Sequence, residues 1–252
     1  MEMSVETLRR FIPLFRELDD GEAEKLCGAA ITRLLPKRTA VIREGEEVEA
    51  VYFILQGLVK TFRTDEKGNE QIFSILKSGE VFPLTCRFDE DVHPATAVTV
   101  VETQLLSVPV KFLEGMFLSS SGFAYKMMGL MSGKIRELQD KLLRFNQRSV
   151  EDRGIAYLIQ LAEHFGVERE GEVWIPVPMT HQELASTIGF TRESVSRLLT
   201  GLRKEGILMF SRKGFIVKDL LALKAKVCVK ENCPHCRELM RREAELGVPA
   251  RF

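Results

Sequence analysis

The chain has 252 residues, 45% of them apolar and 29% charged, and at about 150 residues per domain this length suggests two domains. That balance excludes a disordered chain or a bare coiled coil. No run of about 18 uncharged apolar residues exists to cross a membrane, and Met1-Glu2-Met3-Ser4 has neither the basic region nor the apolar core of a signal peptide, so a cytoplasmic protein is expected. Lysine plus arginine and aspartate plus glutamate both total 36, but residues 179–226 carry nine cations against four carboxylates, and such a basic segment behind a more acidic body suggests one surface facing a polyanion.

Ser4 to Leu35 reads as helical. Residues 40–110 read as strands: Val51–Leu55, Leu58–Phe62, Gln71–Leu76 and Ala97–Val101 are short and rich in β-branched and aromatic residues. Gly45, Gly57, Gly68 and Gly79 punctuate them at near-regular intervals, which suggests a sandwich or barrel, and Asp65-Glu66-Lys67-Gly68-Asn69 has the residues of a hairpin turn.

From 119 to 146 the period changes. Ala124, Met128, Met131, Ile135, Leu138, Leu142 and Phe145 alternate spacings of four and three, a heptad seam that predicts a dimerising helix. The same pattern would also suit one amphipathic helix lying on its own barrel. Ser149 to Phe165 reads as a further helix ending at Gly166, followed by a short strand, Val173–Val177.

Thr180-His181-Gln182-Glu183 has the form of a capping box, with a Thr cap and a Glu three residues later. It opens a helix to about Thr187. Ile188-Gly189-Phe190 makes a turn, and Thr191 caps a second helix through Lys204: a helix-turn-helix. Val195, Leu198, Leu199 and Leu202 belong to a core, while Arg192, Glu193, Ser196 and Arg197 share another face in the first two turns. The N-terminal end of such a helix enters the DNA major groove, where Arg reads guanine and Glu can accept from cytosine. That face would equally suit solvent, with a Glu193–Arg197 pair contributing about 0.3 kcal/mol. Ile207–Phe210 and Phe215–Val217 read as a wing hairpin with Arg212 and Lys213 at its tip, and His181 and Gln182 are further candidates to meet phosphates.

Five cysteines, an odd number, argue against a disulfide framework. Cys27 and Cys86 read as small buried hydrophobes. The other three lie together as Cys228-Val-Lys-Glu-Asn-Cys233-Pro234-His235-Cys236, a C-x4-C-x2-C spacing suited to a shared metal or cluster. Zinc, with His235 or an acid as fourth ligand, or a Cys233–Cys236 thiol switch, would fit the same residues.

Met179-Thr180-His181-Gln182-Glu183-Leu184-Ala185 and Gly189-Phe190-Thr191-Arg192-Glu193-Ser194-Val195-Ser196-Arg197-Leu198-Leu199 resemble the CRP/FNR superfamily of bacterial transcription regulators, and the likeness runs through nearly the whole chain. The resemblance implies an α+β chain. A β-roll sensor domain of the cyclic-nucleotide-binding type would fill 1–118, a dimerisation helix 119–147, a winged helix-turn-helix 148–223 and a cysteine-containing tail 224–252. It implies a homodimer on an inverted-repeat operator of double-stranded DNA, with RNA polymerase as partner, in the bacterial cytoplasm. Thr180, His181, Gln182, Thr191, Arg192, Glu193, Ser196, Arg197, Arg212 and Lys213 would contact DNA, and Met128, Met131, Ile135, Leu138, Leu142 and Phe145 the second copy. Glu193-x-x-Ser196-Arg197 looks like the FNR-type reading triad, which implies TTGA-like half-sites, whereas Arg192 looks more like CRP.

Of the cyclic-nucleotide pocket, Gly79-Glu80 is present, but three acids, Asp89, Glu90 and Asp91, precede the place where the family's phosphate arginine would stand. cAMP is therefore disfavoured; Arg87 is the one substitute, and His93-Pro94-Ala95-Thr96 looks FNR-like. The cysteine trio resembles FNR variants in which a C-terminal trio holds a 4Fe–4S cluster completed by an aspartate, here Asp140. A redox- or gas-responsive regulator is the leading expectation. The alternatives are a regulator with a small organic ligand in the β-roll and structural zinc or a thiol switch in the tail, or an iron–sulfur or thiol redox protein that binds no DNA. No phosphate loop, nucleophile elbow or paired-carboxylate motif points to an enzyme.

Overall fold

The computed structural model describes residues 4–16, 18–66, 68–84, 92–145, 149–211 and 213–227, excepting the side chains of 137, 140–145 and 150. The chain divides into two compact units, up to Leu142 and from Leu143.

The first unit opens with α1 (Val5–Phe11), a short 3-10 turn at Pro13–Phe15 and α2 (Asp20–Ala29). Ser4 caps α1, and Asp19 and Glu22 form a reciprocal capping box on α2. Eight strands follow: β1 (Ile31–Leu35), β2 (Ala40–Ile42), β3 (Ala50–Gln56), β4 (Leu58–Thr64), β5 (Glu70–Lys77), β6 (Val81–Phe82), β7 (Thr96–Thr99) and β8 (Thr103–Pro109). They pair as two antiparallel four-stranded sheets, β1-β8-β3-β6 and β2-β7-β4-β5, which face each other as a β-roll. The helical expectation through Leu35 is corrected here: helix ends at Ala29, and Ile31–Leu35 is an edge strand paired along its length with β8. Pairing with a partner some seventy residues on in sequence, from Ile31↔Ser107 to Leu35↔Thr103, decides the conformation.

Alternation along β3 separates two cores. Ile54 faces Ile42, Val59, Leu76, Phe82, Ala97 and Leu105 between the sheets. Val51, Phe53 and Leu55 face outward onto Leu8, Phe15 and Leu26 of the N-terminal segment, and onto α3 (Val110–Ser119) and α4 (Ser121–Phe145). Phe15 knits this layer, with its ring 4.8 Å from that of Phe53 and 6.1 Å from that of Phe123. At the β3–β4 turn Gly57 has φ +108°, and a Cβ there would stand 2.7 Å from the Thr103 Cα, so both conformation and space demand glycine.

Helix α4 carries two apolar faces. Phe123 and Met127 are buried in the unit's own core, with Leu130 packed beside them. Met128, Met131, Ile135 and Leu138 of the heptad seam are instead 58%, 43%, 56% and 48% exposed, and Tyr125 beside them is 75% exposed. The seam is therefore not the face that covers the barrel. The side chains of Leu142 and Phe145 lie outside the described residues.

The second unit contains α5 (Val150–Phe165), β9 (Val167–Arg169), β10 (Glu172–Ile175), α6 (His181–Ile188), α7 (Arg192–Lys204), β11 (Leu208–Ser211), β12 (Gly214–Val217) and α8 (Leu220–Val227). Its sheet has the order β11-β12-β10-β9. Ile155, Leu158, Ile175, Leu184, Val195, Leu199, Leu208 and Leu223 are fully or almost fully buried, so α5, α6, α7, α8 and the sheet share one core. Helix α8 runs across position 224. No described helix is long and apolar enough to cross a membrane.

Candidate nucleic-acid interface

Two caps set the geometry of the helix pair. The Glu183 amide donates to Thr180 Oγ1 at 3.1 Å while the Thr180 amide donates to the Glu183 carboxylate at 2.8 Å, closing the capping box on α6. Helix α6 ends at Gly189, whose left-handed backbone (φ 74°) lets the amides of Gly189 and Phe190 both donate to the Ala185 carbonyl. Thr191 then caps α7, accepting from the Ser194 amide at 3.3 Å. The hydroxyls of Thr180 and Thr191, both candidates for DNA contact, are thus committed to starting the two helices.

Helix α7 is held from behind. Val195, Leu199 and Leu202 are buried, and Leu198 reaches α5 at Gly154, where a Cβ would stand 2.2 Å from Leu198 Cδ2. The Arg153 guanidinium lies 4.3 Å over the Phe190 ring, tying α5 to the turn. Tyr157 on α5 hydrogen-bonds Thr187 on α6, and burial pushes its phenol well above the usual range, so it stays a neutral strut.

The opposite face of α7 lines an open depression of about 610 Å³ formed by Arg192, Glu193, Ser196, Arg197, Thr200, Gly201 and Lys204. Arg192, Glu193 and Arg197 are exposed and Ser196 is half-exposed. The Glu193–Arg197 ion pair that a solvated face would favour is not formed. Other cations of this unit are neutralised: Lys218 by Glu172 at 3.5 Å, Lys224 by Glu163 at 2.8 Å and Lys226 by Glu205 at 2.6 Å. Among the described residues, Arg192, Arg197, Lys204 and Lys213 have no such partner. Thr200, Gly201 and Lys204 extend the face beyond the residues singled out in the sequence; the continuing i+3, i+4 and i+7 spacing from Arg197 was the signal for them.

The wing packs on α7 through Phe210, whose ring centre lies 5.6 Å from the Arg203 guanidinium. Ser211 pairs with Gly214 across its turn, and the Lys213 amide donates to Ser211 Oγ at 3.1 Å; Arg212 lies outside the described residues. His181 meets the Phe210 ring of β11 edge-on at 5.2 Å, so it packs on the wing, while Gln182 is exposed.

In the β-roll, Gly79 turns the chain at φ +87° and the Glu80 carboxylate accepts from the Lys77 amide at 2.8 Å. His93 is 4% exposed; its amide donates to the Glu46 carbonyl, and its Nδ1 has no hydrogen-bond partner. Burial lowers the His93 pKa from its ordinary value, against an opposing pull from the Glu46 carboxylate. Arg87 and Cys86 lie outside the described residues. A cavity of about 80 Å³ in this unit is lined by Arg33, Leu35, Ala40, Val41, Tyr52, Leu105 and Ser107, not by Gly79, Glu80 or His93. That is far below the roughly 300 Å³ at which small-molecule sites begin.

Cys27 is half-buried against the helical layer, where burial, aided by Glu24, raises its thiol pKa. Among the described residues no three His, Cys, Asp or Glu side chains gather as a metal site. Cys228, Cys233 and Cys236, and the Asp140 side chain, lie outside the described residues.

A β-roll followed by a winged helix-turn-helix is the architecture of a DNA-binding regulator. The cyclic nucleotide-binding domain family matches residues 32–120, and the Crp-like helix-turn-helix domain family matches residues 152–226. The chain is 30% identical over 183 residues to the global nitrogen regulator of Synechocystis, covering 71% of this chain and 80% of that one. It is 27% identical over 215 residues to the anaerobic regulatory protein of Bacillus subtilis, covering 84% and 89%. The solved structure of FixK2 from Bradyrhizobium japonicum superposes with a TM-score of 0.67 at 24% identity, covering 78% of this chain and 96% of that one. The chain belongs to the CRP/FNR family: it is a DNA-binding transcription regulator, and the family consists of regulators rather than enzymes.

Proposed function

We propose that this regulator binds TTGA-like inverted repeats as a homodimer, reading bases with Arg192, Glu193, Ser196 and Arg197 and meeting phosphates with Gln182, Arg212 and Lys213. The observation that carries this reading is the depression on α7, where exposed Arg192 and Arg197 have no ion-pair partner among the described residues and Glu193 leaves Arg197 free. Each bidentate contact of this kind discriminates by roughly 1–3 kcal/mol against the wrong base. The exposed seam Met128, Met131, Ile135 and Leu138 supports the dimer, since a second copy would bury it. Two recognition helices would then stand about 34 Å apart, one turn of DNA. Selection of bound duplexes from a random pool is expected to return TTGA-like half-sites as an inverted repeat. Enrichment of an unrelated motif, or of none, would reject the assignment.

The signal is a redox or gas cue received by a 4Fe–4S cluster on Cys228, Cys233 and Cys236, with Asp140 completing the set. Three thiolates and one carboxylate suit such a cluster, which would supply a reaction centre for oxygen or nitric oxide. Relatives named for anaerobic regulation and for fumarate and nitrate reduction favour a respiratory cue. Purification without oxygen is expected to give broad absorbance near roughly 400 nm with stoichiometric iron and sulfide. A colourless protein that also failed reconstitution would favour zinc or a thiol switch in the tail. The protein acts in the bacterial cytoplasm, with RNA polymerase as its partner.

A further inference from the structure

The reading face of α7 continues past Arg197 toward the C-terminal end of the helix. Thr200, Gly201 and Lys204 line the same depression. Their neighbours are engaged elsewhere: the Arg203 guanidinium stands 5.6 Å from the Phe210 ring centre, and the Glu205 carboxylate takes Lys226 Nζ at 2.6 Å. Lys204 is exposed and, among the described residues, has no ion-pair partner.

Gly201 sits inside a 13-residue helix although glycine is among the poorest helix formers. The backbone does not demand it, because its φ is not positive. Packing does not demand it either, because a Cβ there would meet nothing within 4 Å. Gly154 and Gly214 of the same unit differ, since a Cβ would fall 2.2 Å from Leu198 Cδ2 and 2.0 Å from the Ile175 carbonyl oxygen respectively. Gly115, Gly129 and Gly133 in other helices are as open as Gly201, so what sets Gly201 apart is its place in the depression beside Arg197 and Lys204.

We infer that Gly201 is the gap through which a DNA sugar–phosphate strand reaches the α7 backbone, and that Lys204 is the cation that meets its phosphate. The inference rests on α7 being the DNA-facing helix and adds to it a contact that positions the duplex without reading bases. The competing role for Lys204, a cation complementing the helix C-terminus, would affect stability and leave the salt dependence of binding untouched.

The test is the full-length protein, measured by fluorescence anisotropy on its selected operator and on a scrambled duplex over a range of salt. Lys204→Gln is expected to weaken both duplexes alike and to lower the slope of log K against log salt by about 1 per protomer. Gly201→Ala is expected to raise the melting temperature by about 2–4 °C yet weaken both duplexes on the order of 10-fold. Gly115→Ala, at an equally open glycine of α3, is expected to stabilise with binding unchanged. Wild-type binding by Gly201→Ala, or an unchanged salt slope for Lys204→Gln, overturns the inference. Arg197→Ala separates the two levels: if it loses operator discrimination while the other variants bind normally, only this inference falls, and if it keeps discrimination the reading of α7 itself falls.

Discussion

Gly214 presses its backbone against Ile175 so closely that a Cβ on Gly214 would stand 2.0 Å from the Ile175 carbonyl oxygen and 3.0 Å from the Val177 amide nitrogen. Its φ of +140° excludes ordinary side chains as well. The wing is thus fixed to β10 at its turn, which sets where Lys213 is presented. Gly214→Ala should cost roughly 2 kcal/mol or more and weaken operator binding, as seen by thermal unfolding and anisotropy. An unchanged melting temperature would mean that the wing is held elsewhere.

The capping box on α6 gives a milder test. Thr180→Ala removes the acceptor for the Glu183 amide and should destabilise by about 1 kcal/mol. Thr180→Ser keeps the oxygen and should restore most of that loss in the same denaturation experiment. If both variants unfold alike, the hydroxyl is not what starts the helix.

Ile135 is 56% exposed in the middle of the heptad seam, with Met131 and Leu138 beside it. In a dimer, Ile135→Asp would bury two carboxylates at the interface, a cost their desolvation makes severe. Sedimentation should find a monomer with its fold intact by circular dichroism, and operator binding should fall because one half-site alone cannot hold it. A dimer persisting at micromolar concentration would place the interface on another face.

His93 gives a pH dependence of definite sign. Burial depresses its folded pKa below the ordinary value near 6.5, so the folded state favours the neutral ring. Below about pH 6.5 the unfolded chain takes up the proton first, and stability falls until the folded-state pKa is reached. His93→Gln should flatten that part of the profile, the fall in stability that sets in below about pH 6.5. A wild-type slope in the variant would assign the dependence to other groups.

The second unit was the more legible in sequence because its signals are local. Thr180, Glu183, Gly189 and Thr191 each act on backbone groups within a few residues, and the structure has the caps and the turn where that chemistry puts them. Strand β1 was read as helix because its conformation comes from pairing with β8, far along the chain, and an edge strand with Ile31 and Leu34 exposed has no clean alternation. Helices α3 and α8 went unanticipated: α3 opens on Pro109 with no side-chain cap, and α8 is short and follows a wing already assigned. On α7 the first two turns were readable as Arg, Glu and Ser, residue types with a known vocabulary for bases. Gly201 has no such vocabulary; its open Cα direction is shared with other helical glycines, and its place in the depression between Arg197 and Lys204 is what marks it.

The most direct test of the account is the ratio of operator to scrambled-duplex affinity for wild type and Arg197→Ala at one salt concentration, with the dimer checked by sedimentation. The account predicts that wild type discriminates by at least about 1,000-fold and that Arg197→Ala loses roughly 10-fold or more of that ratio while remaining dimeric. An unchanged ratio in the variant would contradict it, since the face of α7 would then not be what reads the DNA.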